Sequence, residues 1–192
     1  MIKIINLKKA LEKDSIEQFV NIDKKAFINE GNQKNTWTKE NFLLPLPKKF
    51  DFSYAIFVKE SLIGYSICYK CNEDWAHISR VAINPLFQRQ GFGEKLLKSQ
   101  ISKIMDKETK IITIELNKEN NKAENFYSNV GFKRLNQEEL SKYIYIRKRI
   151  PKEYFGKGAC QIVMIYNPNK IELDNLFIDK EKNLNENCNT SA

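Results

Sequence analysis

The sequence predicts an α+β protein in which a mixed central sheet of about six to seven strands is flanked by helices. Short segments rich in Ile, Val, Tyr and Phe alternate with longer segments whose apolar residues recur at helical spacing. Three strand-like segments follow one another between residues 52 and 83, an order typical of antiparallel hairpins. Residues 1–166 hold all of these elements, and 192 residues are sufficient for one well-buried domain.

The first part of the chain predicts one strand followed by two helices. Residues Lys3 to Leu7 form the strand, and apolar residues at helical spacing predict a first helix over residues 12–27. A second helix begins after Thr38, whose side chain suits an N-cap, with Trp37 packing just before it and two prolines ending it.

The next three segments predict consecutive strands. Phe52 to Lys59 and Leu62 to Lys70 are separated by two polar residues and form an antiparallel hairpin, in which Gly64 marks a bulge. Trp75 to Ile83 follows as the third strand.

The second half alternates helices and strands. The predicted elements are a helix over 91–107, a strand over 110–116, a helix over 120–130, and a final strand pair near 131–135 and 159–166. Gly131 ends the third of these elements as a helix C-cap. Residues 167–192 are polar and predict a partly disordered C-terminal extension.

Composition limits the class of protein. No apolar run approaches the length of a membrane span, and the N-terminal residues lack the apolar core of a secretory signal, so we expect a cytoplasmic protein with no membrane partner. The net charge of +8 suits an anionic partner such as coenzyme A. No nucleic-acid-binding motif is present, which argues against nucleic acid as the partner, and the sequence leaves the oligomeric state open.

Cys68 and Cys71 form the one Cys-x-x-Cys pair in the chain. A zinc site needs a second ligand pair, but His77 is the single histidine and no other cysteines are closely spaced, so we predict no metal. The two cysteines lie three apart on a strand, hence on opposite faces, and are expected to be reduced.

The segment Ile78 to Leu97 has the order strand, turn, glycines and helix that suits a phosphate group. The first turn of a helix has N–H groups without intrahelical partners, and the helix dipole favours an anion there. Gly91 and Gly93 carry no Cβ, so an anion can approach the main chain closely. Arg89 and Lys95 add positive charge.

Two motifs resemble those of a known family. Residues 88–93, Gln-Arg-Gln-Gly-Phe-Gly, resemble the Gln/Arg-x-x-Gly-x-Gly/Ala signature of the GNAT superfamily of N-acetyltransferases. Residues 120–132, Asn-x-x-Ala-x-x-x-Tyr-x-x-x-Gly-Phe, resemble a second GNAT pattern, and their Asn, Ala and Tyr share one helical face. The resemblance implies the GNAT fold, acetyl-CoA as cosubstrate and no metal.

Glu115 and Tyr127 are the candidate catalytic residues. Residues 114–127 resemble the segment of ribosomal-protein alanine N-acetyltransferases that carries a glutamate base twelve residues before a tyrosine acid. The resemblance implies that Glu115 accepts the amine proton, through water, and that Tyr127 protonates the sulfur of coenzyme A. From the strand pattern alone, Glu115 is equally well a solvent-facing residue. His77 is either an alternative base or a packing residue.

The same resemblance implies where coenzyme A binds. The main chain of the strand that ends at Ile83 pairs with the pantetheine arm, and the glycine-rich loop surrounds the pyrophosphate. The residues so implied are Val81, Ala82, Ile83, Arg89, Gln90, Gly91, Phe92, Gly93, Glu94 and Asn120.

The acceptor is the least defined part of the reaction. The likeness to the alanine N-acetyltransferases predicts a protein N-terminal α-amine. The alternatives are a small amine, such as a polyamine, an amino sugar or an antibiotic, and a non-catalytic sensor that binds acyl-CoA. Trp37 and Phe42 are either core aromatics or part of the acceptor wall. The segment 135–153 is longer and more basic than the family pattern, and it lies where the acceptor would bind.

Overall fold

The computed structural model describes residues 1–27, 36–105, 109–147 and 162–171. Its strands and helices alternate in the predicted manner. In chain order they are β1 (Ile2–Asn6), α1 (Leu7–Lys13), α2 (Ile16–Phe27), α3 (Lys39–Leu43), α4 (Lys49–Phe52), β2 (Tyr54–Val58), β3 (Ser61–Lys70), β4 (Trp75–Ile83), α5 (Phe92–Met105), β5 (Ile111–Leu116), α6 (Asn121–Val130), β6 (Lys133–Arg134), α7 (Gln137–Arg147) and β7 (Ile162–Tyr166).

The strands form one mixed sheet of seven, in the order β1-β2-β3-β4-β5-β7-β6. Every neighbouring pair is antiparallel except β4 and β5, which are parallel. The predicted α+β class and mixed sheet are therefore confirmed.

The parallel pair opens partway along its length. β4 and β5 pair from Trp75 opposite Ile111 to Ile78 opposite Ile114, while β4 stays paired with β3 as far as Ile83. We call the opening between β4 residues 79–83 and β5 residues 115–116 the split. The register of β4 against β3 shifts beside Ser79, so a bulge lies at the start of the split.

The sheet has two differently covered faces. The front face carries Trp75, His77, Arg80, Thr113 and Glu115. Two apolar clusters lie on this face: one packs against α1, α2 and α3, and the other packs against α7. The back face packs against α5 and α6 and carries Ile78, Val81, Ile112 and Ile114. The side chains of β5 therefore alternate, with Thr113 and Glu115 on the front face and Ile112 and Ile114 on the back face.

The predicted first helix is two helices, a correction that has a local cause. Asp14 ends α1, since its N–H bonds to Ala10 O at 2.9 Å, and its side chain then accepts from Ser15 N at 2.8 Å. Both helices bury apolar residues in the same cluster, so the periodicity continues across the break. The first strand ends one residue early because Asn6 caps α1.

Two helices were not predicted. Phe52, expected to open a strand, lies in the four-residue α4, and the segment treated as an insertion contains α7. The large apolar residues of α7 are not confined to its buried side, since Tyr143 is buried but Ile144 and Tyr145 are exposed. The final strand pair exists as β6 and β7, but residues 148–161, with part of the predicted last strand, lie outside the described residues.

Gly64 and Gly131 occupy positions where a residue with a Cβ would be strained. A Cβ on Gly64 would lie 2.6 Å from Ala82 O, and the register of β2 and β3 shifts next to it, which confirms the bulge. Gly131 has φ +111° and caps α6, as predicted.

The region before α3 also matches its prediction. Thr38 is the N-cap of α3 and forms a capping box with Asn41. Trp37 and Phe42 pack in the front-face cluster with Phe19 and Tyr65, as the core interpretation predicts.

The C-terminal extension is described only to residue 171, so the predicted tail over 172–192 lies outside the described residues. Among the described helices, none has the length and apolar character needed to cross a membrane.

Candidate active site

The split leaves one edge of β4 without a strand beside it. Val81 is half-buried and Ala82 and Ile83 are buried, and their Cα partners across the sheet are Ser66, Tyr65 and Gly64 of β3. The β5 pairing has already ended at Ile78. An unpaired strand edge is a template on which an extended chain with amide groups can add. The backbone of these three residues therefore borders the split, and its part in binding the pantetheine arm stays a prediction.

The loop after β4 reverses the chain through two left-handed residues. Arg89 has φ +57° and Gly91 has φ +78°, and α5 begins at Phe92. A Cβ on Gly91 would meet nothing within 4 Å, so its backbone conformation, and not crowding, favours glycine there. A Cβ on Gly93 would lie 3.3 Å from the Phe126 ring, because α5 and α6 meet at this point.

The start of α5 is open to an anion. In an α-helix that begins at Phe92, the N–H groups of Phe92, Gly93 and Glu94 have no intrahelical partner. The adjoining residues Arg89, Gln90 and Gly91 are exposed. The Glu94 carboxylate pairs with Lys98 Nζ at 2.6 Å, which offsets its charge.

Gln90 contributes to the shape of this loop. Its side-chain amide donates to Leu86 O at 3.1 Å. The exposed N–H groups, the space beside Gly91 and the nearby Arg89 fit a diphosphate group.

Asn120 and Tyr127 belong to α6. Asn120 is its N-cap, and the side-chain oxygen accepts from Ala123 N at 3.1 Å, which leaves the side-chain NH₂ for other partners. Tyr127 is 5% exposed, with ring centroids 5.0 Å from Phe126 and 5.7 Å from Phe132. Burial raises the pKa of Tyr127 well above its usual value, so the phenol stays protonated at neutral pH.

Glu115 is the first residue of β5 beyond the last β4–β5 pair. Tyr143 Oη donates to its Oε1 at 2.8 Å, and Arg147 Nη2 donates to its Oε2 at 3.0 Å. Arg147 Nε also contacts Oε1. Tyr143 and Arg147 were not predicted as partners of Glu115, although their spacing of four residues places both on one side of a helix.

His77 lies in a buried chain of polar contacts on the front face. Trp75 Nε1 donates to Thr113 Oγ1 at 2.7 Å, and His77 Nδ1 lies 3.0 Å from the same oxygen. Which of His77 and Thr113 donates in this contact depends on the tautomer of the imidazole. Burial, with a smaller effect from Arg147, lowers the pKa of His77 to about 3. The imidazole is therefore neutral at pH 7 and a weak base, which favours its packing interpretation.

A second carboxylate on the front face was not predicted. Asp23 accepts from Arg80 Nε at 2.8 Å and Arg80 Nη2 at 2.9 Å, from Trp37 N at 2.7 Å, and from the Tyr65 hydroxyl. The Arg80 guanidinium also lies 3.5 Å from the centroid of the Phe27 ring. Asp23 and Arg80 are 57 residues apart, and no local sequence pattern relates them.

Among the predicted residues, Val81, Ala82, Ile83 and Glu115 border the split. Glu115 lies on the front face and Tyr127 in the back-face core, while the glycine-rich loop follows the end of β4. In the part of the chain that the structure describes, no group of three or more His, Cys, Asp or Glu side chains could hold a metal ion.

Comparison with known proteins agrees with this architecture. The model of the acetyltransferase (GNAT) family matches residues 16–132. A relative from Bacillus subtilis (strain 168), provisionally named as an alanine N-acetyltransferase of ribosomal protein bS18, is 27% identical over 111 residues, which are 57% of this chain and 73% of the relative.

Two solved structures have the same fold. The ribosomal-protein-S18-alanine N-acetyltransferase from Escherichia coli aligns with a TM-score of 0.61 and 17% identity, over 90% of this chain and 99% of that one. PaiA N-acetyltransferase from Thermoplasma acidophilum, solved in complex with coenzyme A, aligns with a TM-score of 0.60 and 16% identity, over 87% and 99%. The chain belongs to the GNAT family and is an acetyl-CoA-dependent acetyltransferase.

Proposed function

We propose that the protein transfers the acetyl group of acetyl-CoA directly to the α-amine of a protein N-terminus. The observation that supports this acceptor is the charge balance beside the split. Among the described residues, the front-face carboxylates there are Asp23 and Glu115, and each is paired with an arginine. A polyamine would be favoured by a pocket with excess negative charge, and these pairs do not supply one.

Acetyl-CoA supplies the activated thioester, and the residues at the split fit its chemical groups. The main chain of Val81, Ala82 and Ile83 would hold the pantetheine amides. The loop from Arg89 to Glu94, including Gln90, Gly91, Phe92 and Gly93, would hold the pyrophosphate, and the NH₂ group of Asn120 would contact the cofactor as well. The open space at the Gly91 Cβ position and the exposed helix start support this assignment.

Glu115 and Tyr127 would carry out the proton transfers of the reaction. The amine attacks the thioester carbonyl, an N–C bond forms and the C–S bond breaks. Glu115 takes the amine proton through a water, and Tyr127 gives its proton to the leaving sulfur. An α-amine titrates near pH 8, about two units below lysine, so a larger fraction of it is neutral at pH 7. The protonated state of Tyr127 supports its role as the acid.

The test is thiol release from acetyl-CoA in the presence of different acceptors. The panel would contain short peptides with different free N-termini, the same peptides with blocked N-termini and an internal lysine, spermidine, and an aminoglycoside. We expect release with free N-termini and none with blocked ones, and mass spectrometry should locate the acetyl group on the first residue. Faster release with spermidine or the aminoglycoside would contradict the proposed acceptor.

A further inference from the structure

The Glu115 carboxylate has acceptor capacity that its neighbours do not use. A carboxylate has about four lone-pair sites. The described residues donate two hydrogen bonds to Glu115, one from Tyr143 and one from Arg147, and Oε2 accepts only the latter. The side chain is 14% exposed and lies where β5 leaves β4, so another donor can reach it through the split.

Both hydrogen-bond donors come from one helix. Tyr143 is fully buried, and its ring packs against Trp75 with centroids 5.5 Å apart, so its hydroxyl is fixed relative to the sheet. Arg147 lies one helical turn further along α7 and reaches both carboxylate oxygens. Two hydrogen-bond donors on one helix restrict the rotation of the carboxylate.

We propose that Tyr143 and Arg147 are positioning residues for the acetyl transfer, because they hold the Glu115 carboxylate in one orientation. Oε2 then accepts a hydrogen bond from the acceptor amine, or from the water that carries its proton away. This inference rests on the proposed function. By this proposal, α7 orients the base that acts on the acceptor amine. This helix lies in the segment that departs from the family pattern.

Removal of the guanidinium tests this role. Arg147→Met should lower kcat/KM for the peptide acceptor by about 10- to 100-fold and leave the KM for acetyl-CoA unchanged. Arg147→Lys retains the charge and a hydrogen-bond donor and should restore part of the rate. Tyr143→Phe removes one hydrogen bond but keeps the aromatic packing, so its effect should be smaller.

The matched control is Lys142→Gln, which removes a positive charge from the same helix. Lys142 pairs with Glu138 at 2.9 Å, and this substitution should leave the acceptor kinetics unchanged. If Arg147→Met does not fold, the comparison of Arg147→Lys, Tyr143→Phe and Lys142→Gln still decides the matter.

Two results would overturn the proposal, and they can be distinguished. A wild-type protein that acetylates no acceptor would remove the proposed function, and the positioning role with it. A wild-type protein that is active, with Arg147 and Tyr143 variants that retain its rate with the peptide acceptor, would remove the positioning role alone.

Discussion

Two carboxylate–arginine pairs lie on the same face of the sheet, one on each side of the split. Asp23 is fully buried and accepts four hydrogen bonds from described residues, which use its whole capacity. Glu115 is 14% exposed and accepts two. The comparison teaches that a satisfied buried pair fixes the arrangement of α2, β3 and β4, whereas a pair with spare capacity can still bind a substrate.

The largest expected effect comes from breaking the satisfied pair. Asp23→Asn should destabilise the protein by about 3–5 kcal/mol, because it leaves the mostly buried Arg80 guanidinium without its counter-charge. Denaturant unfolding would measure the change. The control on the same helix is Glu17→Gln, which removes an exposed ion pair with Lys39 and should leave the free energy of unfolding nearly unchanged. Equal effects of the two substitutions would mean that Asp23 is no more important to stability than a surface charge.

Two buried tyrosines extend the comparison from charge to hydroxyl groups. The Tyr65 hydroxyl donates to Asp23, so Tyr65→Phe should lower the free energy of unfolding by about 1–3 kcal/mol.

Tyr127→Phe should instead lower kcat about 100-fold, with the affinity for coenzyme A unchanged, because a general acid is lost. Normal turnover by Tyr127→Phe would make Tyr127 a packing residue.

The effect that is smallest at neutral pH concerns His77, which lies on the same face of the sheet. Its pKa of about 3 in the folded protein is below the usual 6.5, so only the unfolded chain takes up the proton as the pH falls below 6.5. The stability that neutral His77 provides is therefore complete above pH 6.5. It decreases by about 1.4 kcal/mol per pH unit down to the folded pKa.

His77→Gln should remove this decrease, since glutamine does not titrate. Unfolding curves between pH 6.5 and 4 would measure it for both proteins. Parallel loss of stability in the wild type and the variant would show that His77 is not held neutral by the fold.

Local patterns predicted most of the fold. The bounds of β4, the caps at Thr38 and Gly131, and the two faces of β5 all follow from residues close together in the chain. The break at Asp14 was missed because α1 and α2 bury their apolar residues on the same side. The helix α7 was missed because Ile144 and Tyr145 remain exposed, which weakens its apolar stripe.

The candidate site was predicted only in part, for a different reason. Gly91 and Tyr127 belong to short motifs and could be found by spacing. Glu115 was found, but its partner Arg147 lies 32 residues away, and the pair of Asp23 with Arg80 spans 57 residues. Such contacts depend on how strands are ordered in the sheet, and a single sequence does not carry that information.

Asp23 maintains the fold, and we propose that Glu115 takes part in the reaction. This division of roles is tested by Glu115→Gln, with the free energy of unfolding and the acetyl-transfer kinetics measured on the same preparation. It predicts a loss of less than about 2 kcal/mol in stability, because Arg147 remains partly exposed, and a fall of about 100-fold or more in kcat/KM for the peptide acceptor. Normal kinetics combined with a stability loss as large as that of Asp23→Asn would contradict it.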